Sequence, residues 1–350
     1  MAAYISFQPS DFFSTKLYAG NSSTQAITGV GFQPDFVWIK NRTDTNNHRL
    51  YDASRGVENS LISDDNSAQS TSTGLTAFDS DGFTLGSTGS QNGTGHDYAS
   101  WNWKAGTTSG LSGGTLTPTA YSINTTSKFG IYTYSGTGAT ATIAHGLGVA
   151  PGLIIVKRTD TTADWAVYQE KNTAAPATDY LLLNTTANTD DDVNLWNDTA
   201  PTSTVFTIKS DAKVNNSSGT YVAYAFANVK GYSKIGTYKG NSSSTDGPFA
   251  YTGFKPAFVM VKAPTQTVDW WIVDNKRLGY NVDNNALYPN DNKVESTSDF
   301  LDLLSNGFKL RSGSGGGSVN ISNTSGEPYL YIAFAESPIV SSNDVPTVAR

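Results

Sequence analysis

The chain has 350 residues, of which 37% are hydrophobic, 12% aromatic and 15% charged, and its formal net charge is −7 at pH 7. The low charge content excludes a coiled coil or a long exposed helix, and the aromatic content is too high for a disordered chain. The acidic balance argues against a nucleic-acid partner, because phosphate-binding proteins concentrate Lys and Arg.

The chain begins with a leader over residues 1–15, which lacks the basic start and the apolar stretch of a secretory signal. Export by the general secretory route is therefore not expected. The leader carries three phenylalanines, Phe7, Phe12 and Phe13, which make it a candidate docking segment. The longest apolar runs, such as 329–335, have about seven residues, which is typical of a buried strand and too short for a membrane helix. We therefore predict a soluble protein with no membrane insertion.

A ten-residue frame then occurs three times along the chain. It consists of Gly, an apolar residue, any residue, Pro, any residue, four apolar residues and Lys. The three copies are Gly31 to Lys40, Gly148 to Lys157 and Gly253 to Lys262. The prolines at 34, 151 and 256 place the copies about a hundred residues apart, which is the size of a domain and not of a solenoid repeat.

The correspondence between the copies extends beyond the frame. The eighth residue after each frame lysine is His48, Trp165 or Trp270. Each copy later ends on an aromatic strand with one spacing, and these strands carry Tyr98, Trp101 and Trp103, then Tyr221, Tyr224 and Phe226, then Tyr329, Ile332 and Phe334. We infer an internal repeat of whole domains.

The repeat predicts the domain organisation. The predicted order is a leader at 1–15, domains at 16–106, 128–229 and 232–338, a linker at 107–127 between the first two domains, and a C-terminal tail at 339–350. The linker is rich in Gly, Ser and Thr, which is typical of a flexible connection. Only a few residues separate the second and third domains, so we expect a loose first junction and a stiff second one.

Short segments rich in Val, Ile, Tyr, Phe, Trp and Thr, separated by Gly, Asn, Asp and Ser, indicate strands and turns. The best helical candidate, Asp299 to Ser305, is too short to be stable alone. We predict an all-β fold in which each repeat is a β-sandwich, with a jelly-roll arrangement as one form.

The residues that usually carry chemistry do not recur with the repeat. The three histidines, His48, His96 and His145, fall at unrelated points, and no cysteine is present. A G-x-S-x-G match at Gly110 to Gly114 lies in the predicted linker, without the strand and helix that a nucleophile elbow needs. A carboxylate pair for glycoside cleavage stays open, because its spacing depends on the fold. We predict no catalytic residue, no metal, no cofactor and no enzymatic activity.

Tryptophans supply the candidate binding residues, because an indole ring can stack on a sugar and its N–H can bind a hydroxyl group. Trp165 and Trp270 share their position with His48, so we expect them in the core. Trp196 and Trp271 have no aromatic partner at the matching positions, and we predict that they are exposed and stack on a glycan.

Several motifs together resemble a known family. They are the opening Ser6 to Tyr18, the frame Gly31 to Lys40, the closure Tyr98 to Gly106 and the start of the third repeat, Gly231 to Lys234. They resemble a family of tailed-bacteriophage virion proteins, many of them from marine phages and often described as tail fibres. The resemblance implies a structural protein on the exterior of the virion, assembled in the host cytoplasm, and it brings no known binding or catalytic residues.

Two hypotheses follow from this resemblance. The first is a tail fibre or spike component that attaches to the host, through a surface glycan bound by Trp196 and Trp271. The second is a purely structural capsid decoration or head-fibre protein, docked to other virion proteins by the leader. A long fibre would need a shaft or a coiled coil, which this chain lacks, so a compact knob, spike or decoration is favoured. A homo-oligomer is expected, with a trimer as one option and a monomer left open.

Overall fold

The structure is a computed structural model that describes residues 5–243, 245–277, 285–297, 301–311 and 322–338. Strands account for 43% of it and helices for 4%, so the predicted all-β class is confirmed. No helix in these ranges is long and apolar enough to cross a membrane. The predicted C-terminal tail at 339–350 lies outside the described residues.

The first segment, residues 5–106, forms a four-stranded sheet in the order β1-β9-β3-β4, a three-stranded sheet in the order β2-β8-β7 and a small pair, β5-β6. Its elements are a 3-10 helix (Pro9–Asp11), β1 (Phe13–Ala19), β2 (Gln25–Thr28), β3 (Phe36–Asn41), β4 (Arg49–Asp52), β5 (Asn59–Ser60), β6 (Ser70–Thr71), β7 (Leu75–Asp79), β8 (Gly82–Leu85), α1 (Gly89–Asn92) and β9 (Asp97–Trp103).

The second segment, residues 107–229, forms a seven-stranded sheet in the order β10-β11-β18-β13-β14-β15-β16 and a two-stranded sheet, β12-β17. Its elements are β10 (Ala120–Asn124), β11 (Phe129–Ser135), β12 (Ala141–Ala144), β13 (Leu153–Arg158), β14 (Ala166–Gln169), β15 (Asp179–Leu182), β16 (Asp190–Asp191), α2 (Val193–Trp196), β17 (Val205–Ile208) and β18 (Thr220–Phe226).

The third segment, residues 230–338, forms a four-stranded sheet in the order β19-β25-β21-β22 and a three-stranded sheet in the order β20-β24-β23. Its elements are β19 (Ser233–Lys239), β20 (Phe249–Tyr251), β21 (Phe254–Lys262), β22 (Trp271–Asp274), β23 (Leu301–Leu304), β24 (Gly307–Leu310) and β25 (Pro328–Pro338). The described part of the weak helical candidate Asp299 to Ser305 is therefore mostly strand, because Leu301 and Leu303 point into an apolar core.

The larger sheets of the three segments share one strand order. In each, the opening strand pairs with the closing strand, the closing strand pairs with the frame strand, and the frame strand pairs with the strand after it. All of these pairs are antiparallel. The internal repeat seen in the sequence therefore corresponds to a repeated topology.

The frame strands are buried on both faces, which is why they read as continuous apolar runs. Successive side chains of a strand point to opposite faces. In β3, Val37 and Ile39 pack against the smaller sheet of the first segment, whereas Phe36 and Trp38 point to the other side. The strands β13 and β21 divide their side chains in the same way.

The second faces of the three larger sheets meet in a shared core, a single cluster of buried residues drawn from all three segments. At its centre lie the equivalent rings of Trp103, Phe226 and Phe334. Their centroids are 6.1 Å apart for Trp103 and Phe226, 5.7 Å for Phe226 and Phe334, and 5.5 Å for Trp103 and Phe334. Each segment therefore contacts the other two, and the three larger sheets surround a common axis. A residual apolar cavity of about 20 Å³ in this core is lined by all three segments.

The flexible linker predicted at 107–127 is not found. Strand β10 lies inside it and pairs with β11, and Thr107 exchanges two backbone hydrogen bonds with Ile123. Leu116 and Ile123 are buried in the core of the second segment. The high Gly, Ser and Thr content of this stretch reflects turns and an edge strand that belong to the second segment.

Candidate functional site

The three frame lysines lie between the segments. Lys40, Lys157 and Lys262 are fully buried at the ends of their strands. Each Nζ donates a hydrogen bond to a main-chain carbonyl of another segment: Lys40 to Asn292 at 3.1 Å, Lys157 to Asn66 at 3.2 Å and Lys262 to Thr186 at 2.9 Å. The first segment thus binds the third, the second binds the first and the third binds the second, which closes a cycle. We call the three segments joined in this way the ring.

Burial also changes the acidity of these lysines. It lowers the pKa of Lys40, Lys157 and Lys262 to about 8, because the ammonium group loses its hydration. An amine with such a pKa is a candidate nucleophile in general. Here each ammonium group also donates to a carbonyl near its own strand, of Asn41, Arg158 or Val268, and no part of the side chain reaches solvent. We therefore assign the three lysines to the joining of the segments.

The residues eight positions after each lysine follow the same cycle. The Trp165 indole N–H donates to the Ile62 carbonyl of the first segment at 2.8 Å. The Trp270 indole N–H donates to the Leu182 carbonyl of the second segment at 2.9 Å. His48 faces the backbone of Tyr288 in the third segment.

All three of these side chains are buried, in agreement with the packing role expected from the sequence. Each closes part of the boundary between its own segment and the next. His48 differs from the two tryptophans in being titratable. Burial and the charge of Lys40 hold the pKa of His48 well below its ordinary value, so the imidazole is neutral, and its Nδ1 accepts a hydrogen bond from the Trp38 indole at 2.9 Å.

A buried ion pair lies at the boundary between the second and first segments. Asp52 and Arg55 form a contact of 2.5 Å in the turn after β4, and both side chains are almost completely buried. The hydroxyl of Tyr224, from the closing strand of the second segment, donates to Asp52 Oδ2 at 2.7 Å. The pair therefore belongs to a contact between segments, and it has no solvent-facing group.

The boundary between the first and third segments repeats this arrangement. Arg277 Nε contacts Asp274 Oδ2 at 2.7 Å, and the Trp101 indole, at the position equivalent to Tyr224, donates to the same oxygen at 3.0 Å. Glu295 receives a two-pronged contact from Arg42 of the first segment, with both distances at 2.9 Å. Burial opposes the charged form of Glu295, but the hydrogen bond from Arg42 and the charge of Arg277 outweigh it, so the pKa of Glu295 is lowered.

The third boundary, between the third and second segments, has no Asp-Arg pair at the equivalent positions. The position of Tyr224 and Trp101 is taken by Ile332, and the position of the two aspartates is taken by Gln169. Both residues are buried, and Ile332 belongs to the shared core. This boundary is held by apolar packing, by the bonds of Lys262 and Trp270, and by Gln169, whose Nε2 donates to the Gly236 carbonyl of the third segment at 3.4 Å.

The two predicted glycan-stacking tryptophans are not exposed, which corrects that expectation. Trp196 is 2% exposed at the end of α2 and packs edge-on against Tyr168 at 6.2 Å. Trp271 is fully buried in the core of the third segment. It follows Trp270 in the chain, so the two rings point to opposite faces of the sheet, and both faces are covered. The lack of an aromatic partner in the other repeats was not a sign of exposure.

The predicted docking segment also packs against the rest of its own chain. Phe13 is 3% exposed and stacks on Phe334 at 5.2 Å in the shared core. Phe7 and Phe12 pack edge-on against Tyr232, with centroid distances of 5.7 Å and 6.2 Å. The described part of the leader therefore attaches to the third segment of its own chain, and its phenylalanine rings do not form a free docking surface. Within the described ranges no group of three or more His, Asp or Glu could hold a metal ion.

Together the sheets and the cyclic contacts define an all-β protein in which three repeats share one core. The model of a family described as a domain of unknown function, DUF7483, matches residues 8–338. The chain therefore belongs to the DUF7483 family. No curated protein matches it, and no solved structure matches it.

Proposed function

We propose that the chain is a structural protein displayed on the exterior of a bacteriophage particle, as a tail-fibre or spike component that takes part in host attachment. The observation that carries the structural role is the closed cycle of contacts, in which each segment binds the next through equivalent residues. The resemblance of the sequence motifs to virion proteins supports a place on a bacteriophage particle. The ring supports a rigid structural part.

In this proposal the three segments are three tandem β-sandwich domains of a jelly-roll-like kind. The support lies in the packing of each segment, where one face of the larger sheet and the smaller sheet contribute to one cluster of buried residues. A sheet covered on one face by a second sheet is the defining arrangement of a sandwich. The other face of each larger sheet is covered by the neighbouring domains.

The polar residues that most resemble a reaction centre support a structural role. The frame lysines and the two Asp-Arg pairs use their hydrogen-bonding groups on neighbouring segments or on the turns beside them. Contacts between domains of one chain are ordinarily small and allow relative motion. A boundary filled with buried aromatic rings and paired charges instead makes three domains into one rigid body, which suits a part exposed to mechanical load.

The ring also changes the expected oligomeric state. A homotrimer would place three copies of one domain around an axis, and here a single chain does so with three related domains. We propose that the chain is monomeric in solution and that its partners are other virion proteins. Light scattering of the purified chain should then give the mass of one chain, 37.3 kDa, and a mass three times larger would contradict this part of the proposal.

A capsid decoration protein is the second candidate, and the ring favours it for a specific reason. A body with three related domains around one axis matches a position where three identical shell proteins meet. Each domain can then face one shell protein through an equivalent surface. A fibre or spike position differs, because only one end of the ring would contact the particle.

The test is the location of the protein on purified particles. Mass spectrometry of particles banded by density should detect the chain, and antibodies against it should label intact particles at the tail. Labelling over the whole shell would instead support the capsid decoration protein and contradict the role in host attachment. Absence of the chain from purified particles, with the protein present in the infected cell, would overturn the proposal as a whole.

A further inference from the structure

The outer sheet of the third segment carries an exposed aromatic pair. Phe249 and Tyr251 lie two residues apart on β20, so their side chains point to the same face. Phe249 is 45% exposed and Tyr251 is 58% exposed. In the described ranges they are the only aromatic residues among the large exposed hydrophobic side chains. Their Cα atoms are about 7 Å apart along an extended strand.

The neighbouring strand contacts one of these rings. Gly307 of β24 is the register partner of Tyr251. A Cβ atom at Gly307 would lie 2.1 Å from the Ala250 carbonyl oxygen and 2.8 Å from Cζ of Phe249, so the backbone requires this glycine and the Phe249 ring lies directly beside it. The Phe249 ring therefore packs beside Gly307 of the central strand, while the residue stays 45% exposed.

The other two segments do not have this pair. Through the register of the outer sheets, Phe249 and Tyr251 correspond to Ala26 and Thr28 in the first segment and to Thr142 and Ala144 in the second. The equivalent outer sheets of the first and second segments therefore form with small residues at these positions. The two rings are not a requirement of the fold, and they mark one of the three segments as different.

Charged groups border the pair. Lys309 is the register partner of Phe249 on the same face, and its Nζ contacts Asp246 Oδ1 at 2.5 Å. The side chain of Asp246 is 83% exposed, so its second oxygen faces solvent. An exposed aromatic face next to a donor and an acceptor of strong hydrogen bonds can hold the apolar face and the hydroxyl groups of one sugar ring.

We propose that Phe249 and Tyr251, with Lys309 and Asp246, form a sugar-binding platform for neutral pyranose rings of a surface glycan. Because Lys309 is paired with Asp246, the platform carries no net positive charge. The whole chain carries a net charge of −7, which disfavours acidic sugars. The inference deepens the proposed role in attachment and rests on display of the protein outside the particle, but the binding itself is a property of the isolated chain.

The experiment is saturation-transfer NMR of the full chain with methyl β-galactoside and methyl β-glucoside, followed by a printed array of neutral and acidic glycans. We expect transfer to at least one neutral probe, with the strongest signals from ring protons. Tyr251→Ala should weaken binding of the best glycan at least tenfold without changing the melting temperature. Phe249→Ala should weaken it similarly. Val149→Ala, which removes an exposed apolar side chain on the second segment, should leave binding unchanged.

Absence of binding to every neutral probe, binding of acidic glycans alone, or unchanged affinity in Tyr251→Ala would each overturn the platform. Tyr251→Ala keeps the inference testable if Phe249→Ala proves unstable through loss of the ring beside Gly307. The two proposals fail separately. A protein found on particles that binds no neutral sugar refutes only the platform, and one that binds such a sugar through Tyr251 but is absent from particles refutes only the display.

Discussion

At the scale of single residues, the position shared by His48, Trp165 and Trp270 shows how one site of the repeat serves three boundaries. The two indoles donate to carbonyls of the next segment, whereas the imidazole accepts from Trp38 within its own segment. His48 is fully buried, and an imidazolium ion there would lose its hydration and lie near Lys40 and Arg277. The first segment therefore carries a sensitivity to acid that the other two lack at this position.

Replacing His48 by Gln should reduce the loss of stability in acid. The folded protein keeps His48 neutral while the unfolded chain takes up a proton near pH 6.5, so the free energy of unfolding falls as pH falls below 6.5, by up to about 1.4 kcal/mol per pH unit. Burial raises the pKa of Asp64 to about 6, which acts in the opposite direction in both proteins. Urea unfolding from pH 7 to 5 should give a smaller decline for His48→Gln than for the wild type, and equal declines would contradict the prediction.

The hydroxyl of Tyr224 provides a second test at this scale. It donates to the buried carboxylate of Asp52 across the boundary between the second and first segments. A hydrogen bond to a charged group contributes about 1.5 to 3 kcal/mol to the free energy of unfolding. Tyr224→Phe removes only the oxygen atom and should lower the free energy of unfolding by about that amount. Tyr251→Phe, at an exposed position, is the control. If urea titration finds the two variants equally stable, the contact does not join the segments.

At the scale of elements, the frame strands were predictable and their surroundings were not. A run such as Phe36 to Ile39 indicates a strand buried on both faces, and the structure has one there. The sequence does not say what covers each face, because a sheet of the same segment and a sheet of another segment both present apolar side chains. The sequence alone therefore does not separate the shared core from the cores of the individual segments.

The candidate residues were predicted less well for a related reason. Trp196 and Trp271 were assigned to the surface from a comparison between repeats, but burial depends on the local cover and not on whether a partner recurs. The frame lysines received no role from the sequence, although a lysine at the end of an apolar strand in all three repeats was the available signal for a buried contact. Phe249 and Tyr251 had a weaker signal, the alternation around Ala250, which the sequence does not distinguish from an ordinary edge strand.

Strand β10 gives a prediction at this scale. The amide of Ile123 donates to the Thr107 carbonyl at 2.9 Å, and Ser122 Oγ donates to Asp35 of the first segment at 2.9 Å. Hydrogen exchange measured by mass spectrometry should therefore find slow exchange in peptides that cover Thr107 and Ile123. Peptides that cover the exposed Thr161 and Thr162 should exchange within seconds. Equally fast exchange in both regions would support a flexible linker and contradict the pairing of β10 with the sheet.

At the scale of the whole molecule, the chain is arranged like a trimer built from one polypeptide. Three equivalent rings meet at the centre, and equivalent lysines close the cycle outside them. Aromatic contacts of this kind contribute about 0.5 to 1.5 kcal/mol each beyond their buried area. Covalent continuity also fixes the stoichiometry and lets the three segments diverge, which is how the exposed aromatic pair occurs in one of them alone.

Small-angle X-ray scattering of the monomeric chain tests this ring most directly. A compact body of 350 residues should have a radius of gyration of about 20 Å. Three separate domains of ordinary size connected in a line would give about 30 Å by the same size relation. A value near 20 Å, with a scattering curve that stays the same across protein concentrations, is the result we predict. A value near 30 Å in a monomeric sample would contradict the shared core and, with it, the closed cycle of contacts.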